Sequence, residues 1–188
     1  MIITLQDAQQ IDPKITQARL DAYEAAIRQL TNNNFQVRAA RSAGLTFAGD
    51  LVTFDPITPP PREEITTLLN SVKVGDTVQI SNADVNDGLY TVQDITDDSI
   101  TLDRAVRRDG YFQKGFATLV VYPPDIAEGV RKLIAYDMRM LHKMGVKSES
   151  ISRMRLDYYD VNAGNILNGY PAILMNFIHK YIKIKWGG

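Results

Sequence analysis

The stretch "VGDTVQISNADVNDGLYTVQDITDDSITLD", residues 74–103, decides the fold class of the chain. Three runs within it, "DTVQI", "LYTVQDI" and "SITL", are β-branched or aromatic and are separated by turn formers. Such residues suit a pleated, half-buried surface, so each run reads as a short strand. Asn86-Asp87-Gly88 reads as a turn, because Asn, Asp and Gly tolerate positive φ. Asp94, Asp97 and Asp98 also read as turn formers, since "DITDDSITLD" lacks the ordered ligand spacing and central glycine of a calcium loop. Outward from this stretch, "LVTF" (51–54) and "ATLVVY" (117–122) continue the pattern. Short strands at this spacing predict a small barrel or sandwich. "DPITPPPREE" interrupts the block with a stiff polyproline-like loop, and "REEITTLLNS" predicts a short helix.

The flanks change period. In "IDPKITQARLDAYEAAIRQL" Asp12 suits an N-cap and Pro13 the first helical position, which predicts a helix over about 13–30. Ile15, Ala18, Ala22, Ala26 and Leu30 recur at helical spacing, widened by Tyr23 and Ile27, and this small-residue stripe favours close packing on another helix. A second helix is predicted over 124–143, opened by Pro124, with Asp125 and Glu128 at its positive end and His142, Lys143 and Gly145 at its close. Ile126, Val130, Leu133, Ile134, Met138 and Leu141 form its apolar stripe. "SRMRLDYYD" (152–160) alternates like a strand, and after the turn "NAGNILNG" a third helix is expected over 171–181, bearing Ile173, Leu174, Phe177, Ile178 and Tyr181. The expected organisation is therefore α+β: a small helical bundle of residues 1–35 and 123–188, with a β-rich module, 36–122, inserted between its first two helices.

The closing segment "YIKIKWGG" is unusual. Ile182, Ile184 and Trp186 alternate with Lys183 and Lys185, the period-2 pattern of a strand with one apolar face. Such a strand either pairs within its own chain, for example with 153–158, or adds to a neighbour's sheet edge or groove.

The chain has 188 residues, no cysteine and two histidines, which excludes disulfides and thiol chemistry and disfavours a metal cage. Its longest apolar stretches fall far short of a bilayer span, and its first residues lack the basic region and cleavage site of a signal peptide, so synthesis and assembly in a cytoplasm are expected. Residues 1–35 carry a net charge of −1, 36–122 carry −4 and 123–188 carry +4. That excess is too small for a dedicated nucleic-acid binder.

No catalytic motif is present, and no enzyme activity or cofactor is expected. "SAGLTFAGD" lacks the lysine and the strand–loop–helix setting of a phosphate loop. Ser148 and Ser150 lack a nucleophile-elbow context. Asp157 and Asp160 read as solvent-facing partners of Arg153 and Arg155. Arg131, Lys132, Arg139, Lys143, Lys147, Arg153 and Arg155 crowd the second helix and the step after it. In a monomer they form a solvated face, but around a duplex their modest charge is multiplied by the copy number, which would suit DNA that must slide.

The order of elements in "PPDIAEGVRKLIAYDMRML", "KSESISRMRLDYYD" and "GYPAILMNFIHKYIKIKW" resembles the head-to-tail adaptor (connector, or head completion) proteins of long-tailed double-stranded DNA bacteriophages. The β block is similar to the SH3-like or related barrels inserted in some phage connector proteins. The resemblance implies a virion protein of the head–tail junction, with about a dozen copies in a ring beneath the portal. The ring would extend the DNA channel and offer a docking surface to a stopper or tail-completion protein. Tyr181, Ile182, Lys183, Ile184, Lys185 and Trp186 would meet the portal, and the seven basic residues would be candidates to face the channel. The competing expectation is a non-catalytic binding module whose β domain takes a peptide or carbohydrate.

Overall fold

The computed structural model of the protein describes residues 1–54, 68–140, 148–151, 154–157 and 166–184. The chain is mixed α+β and divides into two compact units, one of Met1 with Asn34–Val121 and one of Ile2–Asn33 with Tyr122–Gly188.

The first unit is a closed, six-stranded antiparallel barrel. Its strands are β1 (Gln36–Ala48), β2 (Leu51–Phe54), β3 (Thr77–Ser81), β4 (Gly88–Ile95), β5 (Ser99–Leu102) and β6 (Gly110–Val120). The order around the barrel is β1-β2-β5-β4-β3-β6, closed by pairing of β6 with β1. Alternate residues point inward, so Leu45, Phe47, Val52, Phe54, Val78, Ile80, Tyr90, Val92, Ile100, Leu102, Ala117 and Leu119 build one core. Full burial of each large side chain is worth about 1.5–3 kcal/mol, which makes this alternation the main source of the barrel's stability. Residues 68–71 are helical and add buried Leu68 to that core.

Two register shifts bend β1 and β6 around the barrel, between Gln36 and Arg41 and between Ala43 and Leu45. Gly44 sits at the second shift with φ 73°. Across the strand pair, a Cβ on Gly115 would lie 3.0 Å from Phe112 Cβ and 3.1 Å from its carbonyl oxygen, so that bulge accepts little else. The β3–β4 turn differs from expectation. Positive φ falls on Asn82 and Asp84, not on 86–88, and Asp84–Asn86 form a 3₁₀ turn. The Asp87 carboxylate accepts the backbone N–H groups of Asn82 and Ala83. Buried Asn86 donates to the Arg108 carbonyl at 2.7 Å and accepts the Arg108 N–H at 3.0 Å, tying this turn to the β5–β6 loop.

The second unit holds α1 (Leu5–Gln9), α2 (Gln17–Thr31) and α3 (Pro124–Met140). Two small hairpins follow, β7 (Ser148–Ile151) with β8 (Met154–Asp157) and β9 (Ile166–Leu167) with β10 (Tyr170–Pro171). The short α4 (Ala172–Met175) then runs into a 3₁₀ helix, Asn176–Tyr181.

The helix expected from Pro13 starts at Gln17. Asp12 instead accepts the Lys14 N–H in a local turn, and the Thr16 side chain caps Arg19 N–H. Its buried face is Leu20, Tyr23, Glu24, Ile27 and Thr31, whereas Ala18 and Ala22 are exposed, because burying large side chains outweighs the small-residue stripe. Met138 is 44% exposed rather than part of the α3 stripe. Leu141, His142, Lys143 and Gly145 lie outside the described residues. The third helix is α-helical for one turn only. Three residues per 3₁₀ turn stack Met175, Ile178 and Tyr181 on one side, leaving Ile173 71% exposed. Strand β8 pairs with β7, and not with the 182–184 segment.

Candidate partner-docking site

The candidate site is built where α2 ends. Asn32 closes the helix in the left-handed conformation at φ 48°, a strain that Asn tolerates. The buried Thr31 hydroxyl bonds back to the Ile27 carbonyl, leaving the Thr31 carbonyl to accept the Lys183 N–H at 2.8 Å. Asn32 Nδ2 donates to the Lys183 carbonyl and Asn33 Nδ2 to the Tyr181 carbonyl, both at 3.3 Å. The end of one helix thus grips Tyr181, the last residue of the 3₁₀ helix, and Lys183 just beyond it.

The opening turn of α3 supplies a second grip. The Tyr181 hydroxyl donates to Asp125 Oδ1 at 2.6 Å, and Lys180 Nζ lies 2.7 Å from Asp125 Oδ2. Lys180 and then Tyr181 hold the Asp125 carboxyl below its ordinary range, and Asp125 in turn raises both partners. Beyond these anchors Ile182 is 51% and Ile184 79% exposed. A recess of about 480 Å³ beside Ile182 and Lys183 is lined by Ala26, Gln29, Leu30, Asn32 and Asn168. The site therefore offers an extended, apolar-and-basic edge held at its root by charged and amide groups.

The unit's other strong polar clusters act as internal struts. Asp137 Oδ2 accepts from Arg19, Tyr23 and Tyr170, the last at 2.8 Å, so one carboxylate joins α2, α3 and β10. Burial and the Asp137 charge push the Tyr23 and Tyr170 phenols well above their usual range. Beside this hub, a cavity of about 710 Å³ is lined by Ile15, Arg19, Tyr23, Ile134, Asp137 and Met138, among others. On the far side of α2, Tyr122 donates to Glu24 at 2.7 Å and accepts from Arg28 at 3.2 Å. Burial raises the Tyr122 phenol, and the Glu24 charge adds to it. Sequence reasoning missed the Asp137 hub.

Of the expected docking residues, Tyr181, Ile182, Lys183 and Ile184 gather at this site, while Lys185 and Trp186 lie outside the described residues. Ile182–Ile184 are not in a sheet. Of the expected basic set, Arg131, Lys132 and Arg139 stand on one side of α3, opposite its buried face, and Glu128 lies 3.9 Å from both Arg131 and Lys132. Arg155 stands in β8 opposite Ser150. Lys143, Lys147, Arg153 and Asp160 lie outside the described residues. Among the described residues, no group of three or more His, Cys, Asp or Glu side chains is placed to hold a metal ion, and no helix is long and apolar enough to cross a membrane. No protein-family model matches the chain, and a search of curated proteins finds no match.

Proposed function

We propose that the protein is a structural head–tail connector of a long-tailed, double-stranded DNA bacteriophage, forming a ring beneath the portal that extends the DNA channel. The helical unit is the adaptor bundle in this reading, and the barrel is an SH3-like or related insertion. Its partners are further copies of itself, the portal, and a stopper or tail-completion protein. The basic side of α3, with Arg131, Lys132 and Arg139, is the candidate channel face.

One observation carries the reading. Residues 181–184 are fastened to the ends of two helices, yet present two large apolar side chains to solvent. A segment held at its root and left apolar at its tip is suited to being completed by another protein. Asp125, Asp137 and Glu24 meanwhile serve as hydrogen-bond acceptors inside the unit, which fits a scaffold.

Quantitative mass spectrometry of purified particles from the source genome tests the proposal. A count near a dozen copies against the major capsid protein is expected, and absence from intact virions would reject it. An Ile182→Ser, Ile184→Ser double variant keeps both anchors. It should fold normally and be lost from particles.

A further inference from the structure

Two features of the helical unit complement each other without meeting in one chain. Strands β7 and β8 form a sheet of two strands, and no third strand pairs with either among the described residues. A lone hairpin is marginal in water, and a strand edge without a neighbour offers its N–H and C=O groups to an incoming strand. The 182–184 segment has the opposite character. Lys183 turns both its N–H and its C=O towards the end of α2. In extended backbone these groups leave on alternate sides from one residue to the next, so Ile184, like the Ile182 carbonyl, faces away from α2. The α2 side of the segment is used at Lys183; on the other side the Ile182 N–H turns back to the His179 carbonyl, leaving the Ile182 carbonyl and Ile184 for a partner.

We infer that the β7 edge of one copy receives residues 182–184 of a second copy as a third strand. The inference rests on reading 181–186 as a docking segment and names its first partner, leaving Lys185 and Trp186 for the portal. Charge favours the β7 edge: β7 carries Glu149 and no base, whereas in β8 Arg155 is offset by Asp157, and the incoming segment carries Lys183. Opposite charges on facing strands favour pairing, and like charges oppose it. Because edge and segment are different surfaces, the contact is head-to-tail and repeats around a ring if its rotation closes.

The cysteine-free chain makes the test direct. Full-length Glu149→Cys would be mixed with Ile182→Cys, Lys183→Cys or Ile184→Cys and mildly oxidised. Val74→Cys, 61% exposed in the barrel unit, serves as the control partner. Disulfide-linked pairs well above the control are expected, with yield alternating along 182–184. Yields equal to the control at all three positions would overturn the inference. Sedimentation velocity provides a second reading. Ile184→Pro, which removes the N–H of the open edge, should weaken self-association at least tenfold, and unchanged association would also overturn it. Particles that contain the chain without the cross-link would reject strand exchange and leave the connector reading intact. A cross-link in a chain absent from particles would do the reverse.

Discussion

Gly129, in the middle of α3, faces the ring of Phe177 so closely that an added Cβ would lie 2.5 Å from three ring carbons. Carbon atoms pack best at about 3.5–4.0 Å, so in Gly129→Ala the ring must retreat by roughly 1 Å. Phe177 is half-buried and has some room to move, but buried Met175 and Ile178 fix the backbone on either side of it. Overpacking of this kind costs about 1–3 kcal/mol. Replacing an interior helical glycine by alanine returns about 1 kcal/mol through propensity. The net expectation is a loss of about 1 kcal/mol, or about 2–4 °C in melting temperature for a chain of this size. The decisive comparison is the same substitution in a Phe177→Ala background, where only the propensity gain remains and Gly129→Ala should stabilise by about 1 kcal/mol. Guanidinium unfolding followed by far-ultraviolet circular dichroism on the four chains measures both. Stabilisation by Gly129→Ala in the presence of Phe177 would refute the packing argument.

The Asp137 hub should respond in graded fashion. Asp137→Asn, which strips the charge from three donors at once, should cost about 2 kcal/mol and Tyr170→Phe about 1 kcal/mol in the same unfolding assay. Equal costs would show that the carboxylate's charge matters little. The tyrosines predict an alkaline transition: Tyr23, Tyr122 and Tyr170 are all raised in the folded protein, whereas an unfolded tyrosine ionises near pH 10. Stability should therefore be unaffected by these groups below about pH 10 and fall as pH climbs from there towards the folded values. A fraction of the phenolate absorbance of the 9 tyrosines should appear only together with loss of circular dichroism. Smooth ionisation of all of them in a folded chain would contradict the burial of these three.

The β-rich block was legible where its signal is local. The runs at 51–54, 77–81, 88–95 and 99–102 alternate β-branched or aromatic residues with turn formers between them, and all four are strands. Strand β1 was not legible. "QVRAARSAGLTFA" reads as arginine, alanine and glycine because its conformation is imposed from across the barrel by β6, through two register shifts. The start of α2 misled for a different reason. Asp12 and Pro13 form a plausible cap, but Thr16 caps a helix that buries Leu20 and Tyr23. At the candidate site the Ile–Lys alternation of 182–184 signalled extended backbone. That Lys183 would grasp the end of α2 depends on Thr31 and Asn32, about 150 positions away, and no local pattern carries that. The Asp137 hub is similarly long-range, since its donors come from positions 19, 23 and 170.

The way the barrel is closed has a mechanical consequence. The module enters at Gln36 and leaves at Val120, and these two residues are partners across an antiparallel pair, with Val121 N–H bonded to the Phe35 carbonyl just outside them. Tension applied through residues 34 and 121 therefore loads both strands at the same end. Hydrogen bonds loaded in this way break in succession, as a zipper opens, whereas strands pulled from opposite ends must shear all of their bonds together. Under such a load the barrel opens first at Phe35 and Val121, and its four inner strands stay paired while β1 and β6 begin to peel.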